Sequence, residues 1–364
     1  MLEDGKIDGR QAVYLNITFV IATALLAVVA IAAAKAKNDA WISSLLATFF
    51  SMGIAWLVIT LGSSFPGKTL IEYQEDILGK WLGKATSFLY IVFFIHICAI
   101  MVREYGDFLM EAFFQHTPLI VFHIVVIAIS AFTVKQGLEV LARVNQIVLP
   151  LIILSVFVIV SLAIPELDYK RLLPLLDTGP VKIFKGSLTP LAWHGEIIAM
   201  GMIIPFLSKP AEANKIAFKS LLVIGLLLAI AIAGGLAAFG PLTGSMSYPF
   251  LNVTRVINIA KIIDRVEPLV MVIWVAGGFV KITFFYYVSV LGTAQWMQLK
   301  DYRPLVLPVG LILVSLSIAI GEKTLDIFHF ISNIFPFYAL IFEAGIPLML
   351  VIIALLRKKG GEIT

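Results

Sequence analysis

Long apolar runs separated by short polar segments dominate the chain. A helix of about 20 apolar residues crosses the roughly 30 Å hydrocarbon core of a bilayer, because it rises 1.5 Å per residue. The segments between the runs are short and hold charge, Pro or Gly, so the pattern predicts one all-α polytopic membrane domain over residues 1–364. Ten runs are predicted to span the membrane, at about 11–34, 41–62, 82–103, 118–134, 144–164, 187–208, 217–240, 267–296, 304–320 and 331–356.

The run at 187–208, SLTPLAWHGEIIAMGMIIPFLS, differs from an ordinary membrane helix because its middle is polar. A carboxylate such as that of Glu196 costs roughly 2.5 kcal/mol or more at mid-membrane depth, so it usually faces a cavity or a partner. Gly195 beside it lets the backbone unwind, which membrane proteins tolerate around a cavity. The pattern favours a broken helix at a ligand or proton site. The alternative is a structural pair that holds helices together.

Other ionisable residues also fall well inside predicted spans, among them His96, Lys281 and Glu343. Buried charges are rare in lipid unless they are paired or face a polar cavity. Lys281 could pair with either Glu196 or Glu343, and it could exchange protons or serve as a fixed countercharge. Lys281, Glu196 and Glu343 are therefore the candidates for a proton or cation site, whereas His96 is expected to be a packed, hydrogen-bonded histidine.

Two charged residues, Arg103 and Glu104, close the predicted third span. Charged side chains at a helix end commonly extend to water, and this is the expectation for both. Tryptophans at 41, 81 and 296 are predicted to anchor helices at the membrane interface.

Composition agrees with a membrane protein and excludes several classes of function. The 364 residues are 60% hydrophobic and only 14% charged. Cys98 is the only cysteine, so no internal disulfide can form. The sequence has no metal-ligand cluster, no P-loop and no dinucleotide fingerprint, which predicts neither metal nor cofactor. It shows no constellation of nucleophile, base and oxyanion donor, so we do not expect an enzyme. A net charge of +4 fits basic cytoplasmic loops better than nucleic-acid binding.

The distribution of Lys and Arg predicts the orientation of the chain. With the N-terminus inside, inside segments hold 15 of these residues and outside segments hold 11. This bias predicts that both termini are cytoplasmic. Two outside segments, 165–186 and 241–267, are long enough to form a lid or packing segment, or else an outer gate or docking surface. Apolar positions over 251–263 are spaced for a short helix on the membrane surface.

An even split of ten spans suggests an internal repeat. Two repeats of five spans, about 11–164 and 187–356, would have opposite orientations, and transporters of this kind bind substrate at the midplane between discontinuous helices. The equivalent helices would be the first and the sixth. The first carries small and polar residues, Ala22, Thr23 and Ala24, near its middle.

Six motifs in order along nearly the whole chain carry a family resemblance. They resemble the spore germination permease family, the B subunits of the nutrient-germinant receptors of endospore-forming bacteria, within the amino acid–polyamine–organocation superfamily. The motifs are IDGRQAVYL before and into span one, NDAWISSLL at 38–46, VREYGDFLMEAFFQHTP at 102–118, GEIIAMGMIIPFL at 195–207, GFVKITFFYY at 278–287 and IPLMLVIIALLRKK at 346–359.

The resemblance implies a fold like that of the sodium-coupled leucine transporter, with a five-plus-five inverted repeat and breaks in helices 1 and 6. It implies a small nutrient, usually an amino acid, bound at those breaks, and a complex with an A subunit and a lipoprotein C subunit among the lipids of the spore inner membrane. The residues that would contact the ligand are Ala22, Thr23 and Ala24 of span one and His194, Gly195, Glu196 and Met200 of span six.

Three functions are compatible with these features. The first is a receptor subunit that binds a nutrient and triggers germination. The second is a proton-coupled amino-acid symporter with Glu196 or Lys281 as the proton carrier. The third is a scaffold or ion-release channel with a vestigial pocket. By analogy with proton-coupled members of the superfamily, Lys281 would replace a bound cation and make the protein independent of sodium.

Overall fold

The computed structural model describes residue 3 and residues 5–257, 266–321 and 323–361. These residues form helices and no strands. The first helices are α1 Gly9–Thr23, α2 Val29–Ala36, α3 Ala40–Ser64, α4 Tyr73–Leu78, α5 Lys80–Ala112, α6 Leu119–Gln136 and α7 Leu138–Ala163. The others are α8 Pro180–Gly195, α9 Met200–Ile203, α10 Ala213–Phe239, α11 Pro249–Val256, α12 Glu267–Trp296, α13 Val306–Ala319, α14 Thr324–Asn333, α15 Phe335–Leu340 and α16 Ile346–Leu356.

Within the described ranges, seven helical stretches are long and apolar enough to cross a membrane, and α13 with α14, bent by 97°, would make an eighth. The protein is therefore an integral membrane protein. The first stretch, Gly9–Ser64, contains two of the ten predicted spans, and the predicted sixth span is divided between α8 and α9. The count of ten stays a prediction.

The helical geometry changes in the middle of predicted spans one and six. A π-helical turn, Ala24–Val28, joins α1 to α2, and a 3₁₀ turn, Glu196–Ala199, joins α8 to α9. The backbone of Thr23 (φ −106°, ψ −23°) and Glu196 (φ −54°, ψ −14°) nevertheless stays in the helical region. The expected breaks are thus not confirmed as unwound segments. Single π turns inside helices and mid-helix 3₁₀ stretches often occur at functional sites.

Helix α1 runs through the centre of the bundle. It packs against α7, α10 and α12, and most of its residues are buried. Since lipid tails are as apolar as leucine, small residues that allow close approach hold membrane helices together. The alanines of α2 fill this role against α8 and the segment Gly240–Ser245. This packing places the middle of α1 next to α8 and α12.

A short N-terminal strap, residues 5–8, closes one end of the bundle, which we call the N-terminal face. Ile7 pairs in parallel with Leu207: its N–H donates to the carbonyl of Phe206 (3.0 Å), and its carbonyl accepts from the N–H of Ser208 (2.9 Å). The strap therefore ties the start of helix α1 to the last residues of predicted span six. The other end, which holds the turn Lys37–Asp39, is the opposite face.

The prediction that Arg103 and Glu104 extend to water is wrong. Helix α5 continues to Ala112, so both residues lie inside the bundle, with 4% and 9% of their surface exposed. Nε of Arg103 donates to both carboxylate oxygens of Asp107 (2.9 and 3.0 Å), and its guanidinium also donates to the carbonyl of Gly321. The Arg103–Asp107 pair is therefore satisfied without water.

Two smaller expectations can be placed. His96 is partly buried and its Nδ1 lies 3.2 Å from the hydroxyl of Tyr338, which confirms a packed, hydrogen-bonded histidine. The predicted surface helix over 251–263 begins as α11, whose Leu251 and Val253 are buried against the bundle. Residues 258–265 lie outside the described part of the chain. Cys98 is buried on α5, and its Sγ donates to the carbonyl of Ile282 (3.5 Å).

Candidate functional site

Lys281 connects three segments at the centre of the molecule. It lies on α12, and its Nζ donates to Oε1 of Glu196 (2.9 Å) and lies 2.8 Å from Oε2. The same atom donates to Oγ1 of Thr23 on α1 (2.5 Å). The Lys281 and Glu196 side chains are each only 1% exposed. The structure thus resolves the choice left open by the sequence: Lys281 pairs with Glu196 and not with Glu343.

Thr23 and Trp193 complete this polar cluster. The hydroxyl of Thr23 also accepts from Nε1 of Trp193 (3.0 Å), and the Trp193 ring lies 5.9 Å from Nζ of Lys281. Thr23 directly precedes the π turn, and Glu196 begins the 3₁₀ turn. The cluster therefore joins α1, α8 and α12 where two helices change geometry. We call Thr23, Trp193, Glu196 and Lys281 the central cluster.

The central cluster is held by electrostatics in a medium of low polarity. The cost of removing two charges from water offsets much of the attraction between them, so a buried pair adds little net stability. Removal of one partner is a different matter, because it leaves an uncompensated charge and costs about 3–5 kcal/mol. A polar ligand that satisfies both groups could therefore replace the pair at small cost.

Glu343 lies close to the cluster without joining it. It sits in a second π turn, Ile341–Gly345, is fully buried, and neither carboxylate oxygen has a hydrogen-bond partner among the described residues. Its carboxylate lies against Gly195, where a Cβ atom would collide with it. Gly195 is thus required here for space. A buried carboxylate without partners is costly, so a proton, a cation or water must satisfy it.

The structure separates the remaining candidate ligand residues from Lys281. Nδ1 of His194 donates to the carbonyl of Pro190 (2.5 Å), and Nε2 lies 3.3 Å from Oγ1 of Thr48 on α3. Sδ of Met200 accepts from Nδ2 of Asn16 (3.2 Å). His194 is therefore bonded within α8 and directed toward α3, and Met200 is bonded to α1 two turns before Thr23.

Ala22 and Ala24 flank Thr23 on α1 and in the π turn. Both are fully buried. A Cβ atom built on Gly277 would lie 3.0 Å from Cβ of Ala22, so α1 and α12 approach closely at this point. The small residues Ala22 and Gly277 permit the contact that brings Thr23 to Lys281.

The space beside the central cluster is small. A cavity of about 10 Å³ is lined by Lys281, Glu196, Trp193, Glu104 and neighbouring apolar residues. This volume holds one water-sized group. A second cavity of about 10 Å³ lies on the other side of Glu104, between Glu104 and Phe328. A whole amino acid would fit only if neighbouring side chains moved.

Comparison with known proteins places the chain in a family. The model described as "Spore germination protein" matches residues 6–324. The chain belongs to the spore germination permease family. It is 28% identical over 367 residues to spore germination protein KB of Bacillus subtilis, with 99% of this chain and 98% of that protein covered. It is 25% identical over 363 residues to spore germination protein YndE of the same organism, with 98% of each covered.

Solved structures show that this permease has a transporter fold. Mhp1, a nucleobase-cation-symport-1 family transporter with bromovinylhydantoin bound, matches with a TM-score of 0.71 and 10% identity, over 95% of this chain and 78% of that one. MhsT in complex with L-phenylalanine matches with a TM-score of 0.65 and 13% identity, over 96% and 99%. At these identities the likeness concerns the fold alone, and it confirms the expected leucine-transporter architecture at that level.

A larger cavity of about 440 Å³, the vestibule, lies toward the opposite face of the permease. Nζ of Lys35 on its wall lies 3.5 Å from Oγ1 of Thr189 and also donates to the carbonyl of Ser332. Phe328 on α14 lines both the vestibule and the small cavity beside Glu104. Phe328 therefore lies between the vestibule and this small cavity, and Glu104 lies between the two small cavities.

Two residues of the permease site were missed by sequence reasoning. Trp193 was treated only as part of the sixth span, although it donates to Thr23 and faces Lys281. Glu104 was assigned to the surface, although it lines the same cavity as Glu196. The sequence signal that was available is the absence of a helix-breaking proline shortly after Glu104. The motif VREYGDFLMEAFF can continue span three by two turns without a proline or a run of turn residues.

Proposed function

We propose that this permease is the membrane subunit of a spore germinant receptor that binds a small nutrient, such as an amino acid, at the central cluster and triggers germination. One observation carries the proposal. Buried Lys281 connects Thr23 and Glu196 where two helices change geometry, so a ligand there acts on three helices at once. Relatives over nearly the whole chain are spore germination proteins, and a structure with the same fold holds L-phenylalanine.

The proposed mechanism is competition for the polar groups of the cluster. A zwitterionic ligand offers a carboxylate to Lys281 and an ammonium to the carboxylates that line the same cavity, so it can replace the Lys281–Glu196 contact without leaving either charge unpaired. Thr23 and α1 are then released from α12. A ligand shifts a conformational equilibrium by its differential affinity for the two states, so this release is the step that partner subunits would sense.

The proposed assembly follows the family. The permease acts in the spore inner membrane with both termini cytoplasmic, so the N-terminal strap closes the cytoplasmic side and the vestibule opens to the outside. An A subunit and a lipoprotein C subunit are the proposed partners.

A proton-coupled amino-acid symporter is the second candidate. It is favoured by Glu343, whose two carboxylate oxygens lack partners among the described residues in the interior of the bundle. A carboxylate in this setting can take up and release a proton as the helices around it move.

The test is to measure binding and uptake of labelled amino acids on one preparation of purified protein in liposomes. Binding without uptake supports the receptor. Uptake that follows a pH gradient would establish the symporter instead. Ion flux with neither binding nor uptake would mean a channel with a vestigial pocket.

Substitutions locate the response. Glu196→Gln removes the charge that pairs with Lys281 and should weaken binding at least tenfold while membrane insertion is kept. Glu212→Gln, at the N-terminal face and paired with exposed Lys209 (3.6 Å), is the matched control and should bind normally. Normal binding by Glu196→Gln would remove the central cluster as the site.

A further inference from the structure

We propose that Glu104 holds the ammonium group of the nutrient, so that the permease selects ligands carrying a primary amine. This inference rests on the proposed function and assigns a specificity-determining residue to it.

The position of Glu104 is the first argument. Glu104 is on α5, opposite the elements that carry the central cluster, and 9% of its surface is exposed. It lines the same cavity of about 10 Å³ as Lys281 and Glu196, and it also lines the next small cavity, toward the vestibule. The series of cavities from the vestibule to the central cluster therefore passes this carboxylate.

The second argument is that the Glu104 carboxylate has no partner. No donor among the described residues forms a hydrogen bond with it, whereas Asp107, one turn further along α5, accepts from Arg103 at 2.9 and 3.0 Å. Among the described residues that line the cavity of Glu104 and Glu196, Lys281 is the only cation, and it is bonded to Glu196. The described lining therefore carries one more carboxylate than cation. Because an isolated buried charge is costly, this arrangement favours the arrival of a cationic group.

The size and shape of the cavity agree with an ammonium group. A volume of about 10 Å³ accepts one water-sized group, and an ammonium head is of this size. The rings of Trp193 and Phe335 line the same space, and aromatic faces attract cations within about 6 Å. Ile331 and Phe328 of α14 separate this cavity from the vestibule, so they would move to admit the rest of the ligand.

The test compares ligands that differ only in the amine. The purified full-length protein in lipid nanodiscs is titrated with a panel of L-amino acids and, for each that binds, with the 2-hydroxy acid of the same side chain. The wild type should prefer the amino acid at least tenfold. Glu104→Gln should lose this preference. Its affinity for the amino acid should fall tenfold or more, and its affinity for the hydroxy acid should stay unchanged.

Glu111→Gln is the matched control. Glu111 lies two turns further along α5 and is exposed, so this variant should keep the wild-type preference. Glu104→Asp keeps the charge and should retain part of the preference. Thermal unfolding of each variant establishes that it is folded.

Several outcomes would overturn the inference. Equal affinity of the wild type for an amino acid and its hydroxy acid would do so without any variant. An unchanged preference in Glu104→Gln would place the ammonium elsewhere. If no ligand of the panel binds the wild type, the proposed function itself fails, which is a different result from binding without amine selectivity.

Discussion

The carboxylate of Glu343 occupies the space that a side chain on Gly195 would need. The two residues are 148 positions apart in the chain, one at the end of α8 and the other in the π turn before α16. Their contact explains why a glycine stands at the point where the sixth span changes geometry.

This contact predicts the effect of a single methyl group. Gly195→Ala should destabilise the protein by about 1–3 kcal/mol, the usual cost of overpacking a well-packed interior. Thermal unfolding of the purified protein measures it. The control is Gly53→Ala on α3, where no atom lies within 4 Å of the added carbon. The cost should shrink when Glu343→Ala is added to Gly195→Ala, and an undiminished cost would assign the effect to the backbone.

The central ion pair predicts a strongly non-additive pair of substitutions. Lys281→Met leaves the charge of Glu196 buried and should cost about 3–5 kcal/mol in the free energy of unfolding. The double variant with Glu196→Gln should recover much of this loss, because no charge is left unpaired. Lys68→Met, which removes the exposed contact between Lys68 and Asp76, should cost at most about 1 kcal/mol. Additive single and double variants would argue against coupling.

The ammonium of Lys281 predicts that ligand binding does not need sodium. Its Nζ lies 2.5–2.9 Å from oxygens of Thr23 and Glu196, so the ammonium already supplies the positive charge that a bound sodium ion would bring to these oxygens. Replacement of sodium by N-methylglucamine should leave the affinity of the wild type unchanged. A tenfold or greater loss of affinity in the absence of sodium would contradict this role for Lys281.

Asp39 predicts a local effect on the opposite face. Its carboxylate accepts from the backbone N–H groups of Leu176 (2.7 Å) and Thr178 (3.1 Å) and from the Thr178 hydroxyl (2.6 Å). Asp39→Ala should release this segment and speed its cleavage by trypsin after Lys170 several-fold. Asp177→Ala, at an exposed neighbour in the same segment, should leave the rate unchanged. Equal rates for the two variants would show that Asp39 does not anchor the segment.

Hydropathy was sufficient to predict the membrane class and the positions of the long helices, because an apolar run of 20 residues has few other uses. It was not sufficient for side-chain direction. His194 and Glu196 are two residues apart in one polar stretch, yet His194 bonds to Pro190 while Glu196 meets Lys281. Which neighbour each side chain meets depends on how the helices pack, and the hydropathy pattern of one sequence does not predict this packing.

The pairing of Lys281 shows the same limit. Glu196 and Glu343 were equivalent partners in the sequence, since both are carboxylates inside predicted spans. The helical arrangement distinguishes them, because only Glu196 lies within reach of Nζ. Glu104 was misplaced for a related reason: a hydropathy window ends a span at the first charged residues, even when these face the interior of a bundle.

The buried position of Cys98 gives the protein an experimental advantage. Its thiol is packed against the backbone of Ile282, and a thiol buried in apolar surroundings reacts slowly. Since it is the only cysteine in the chain, the natural protein already serves as a blank for thiol labelling. The substitution Phe328→Cys, between the vestibule and Glu104, would then add the one reactive thiol. Its labelling rate with and without nutrient would report the opening of this route directly.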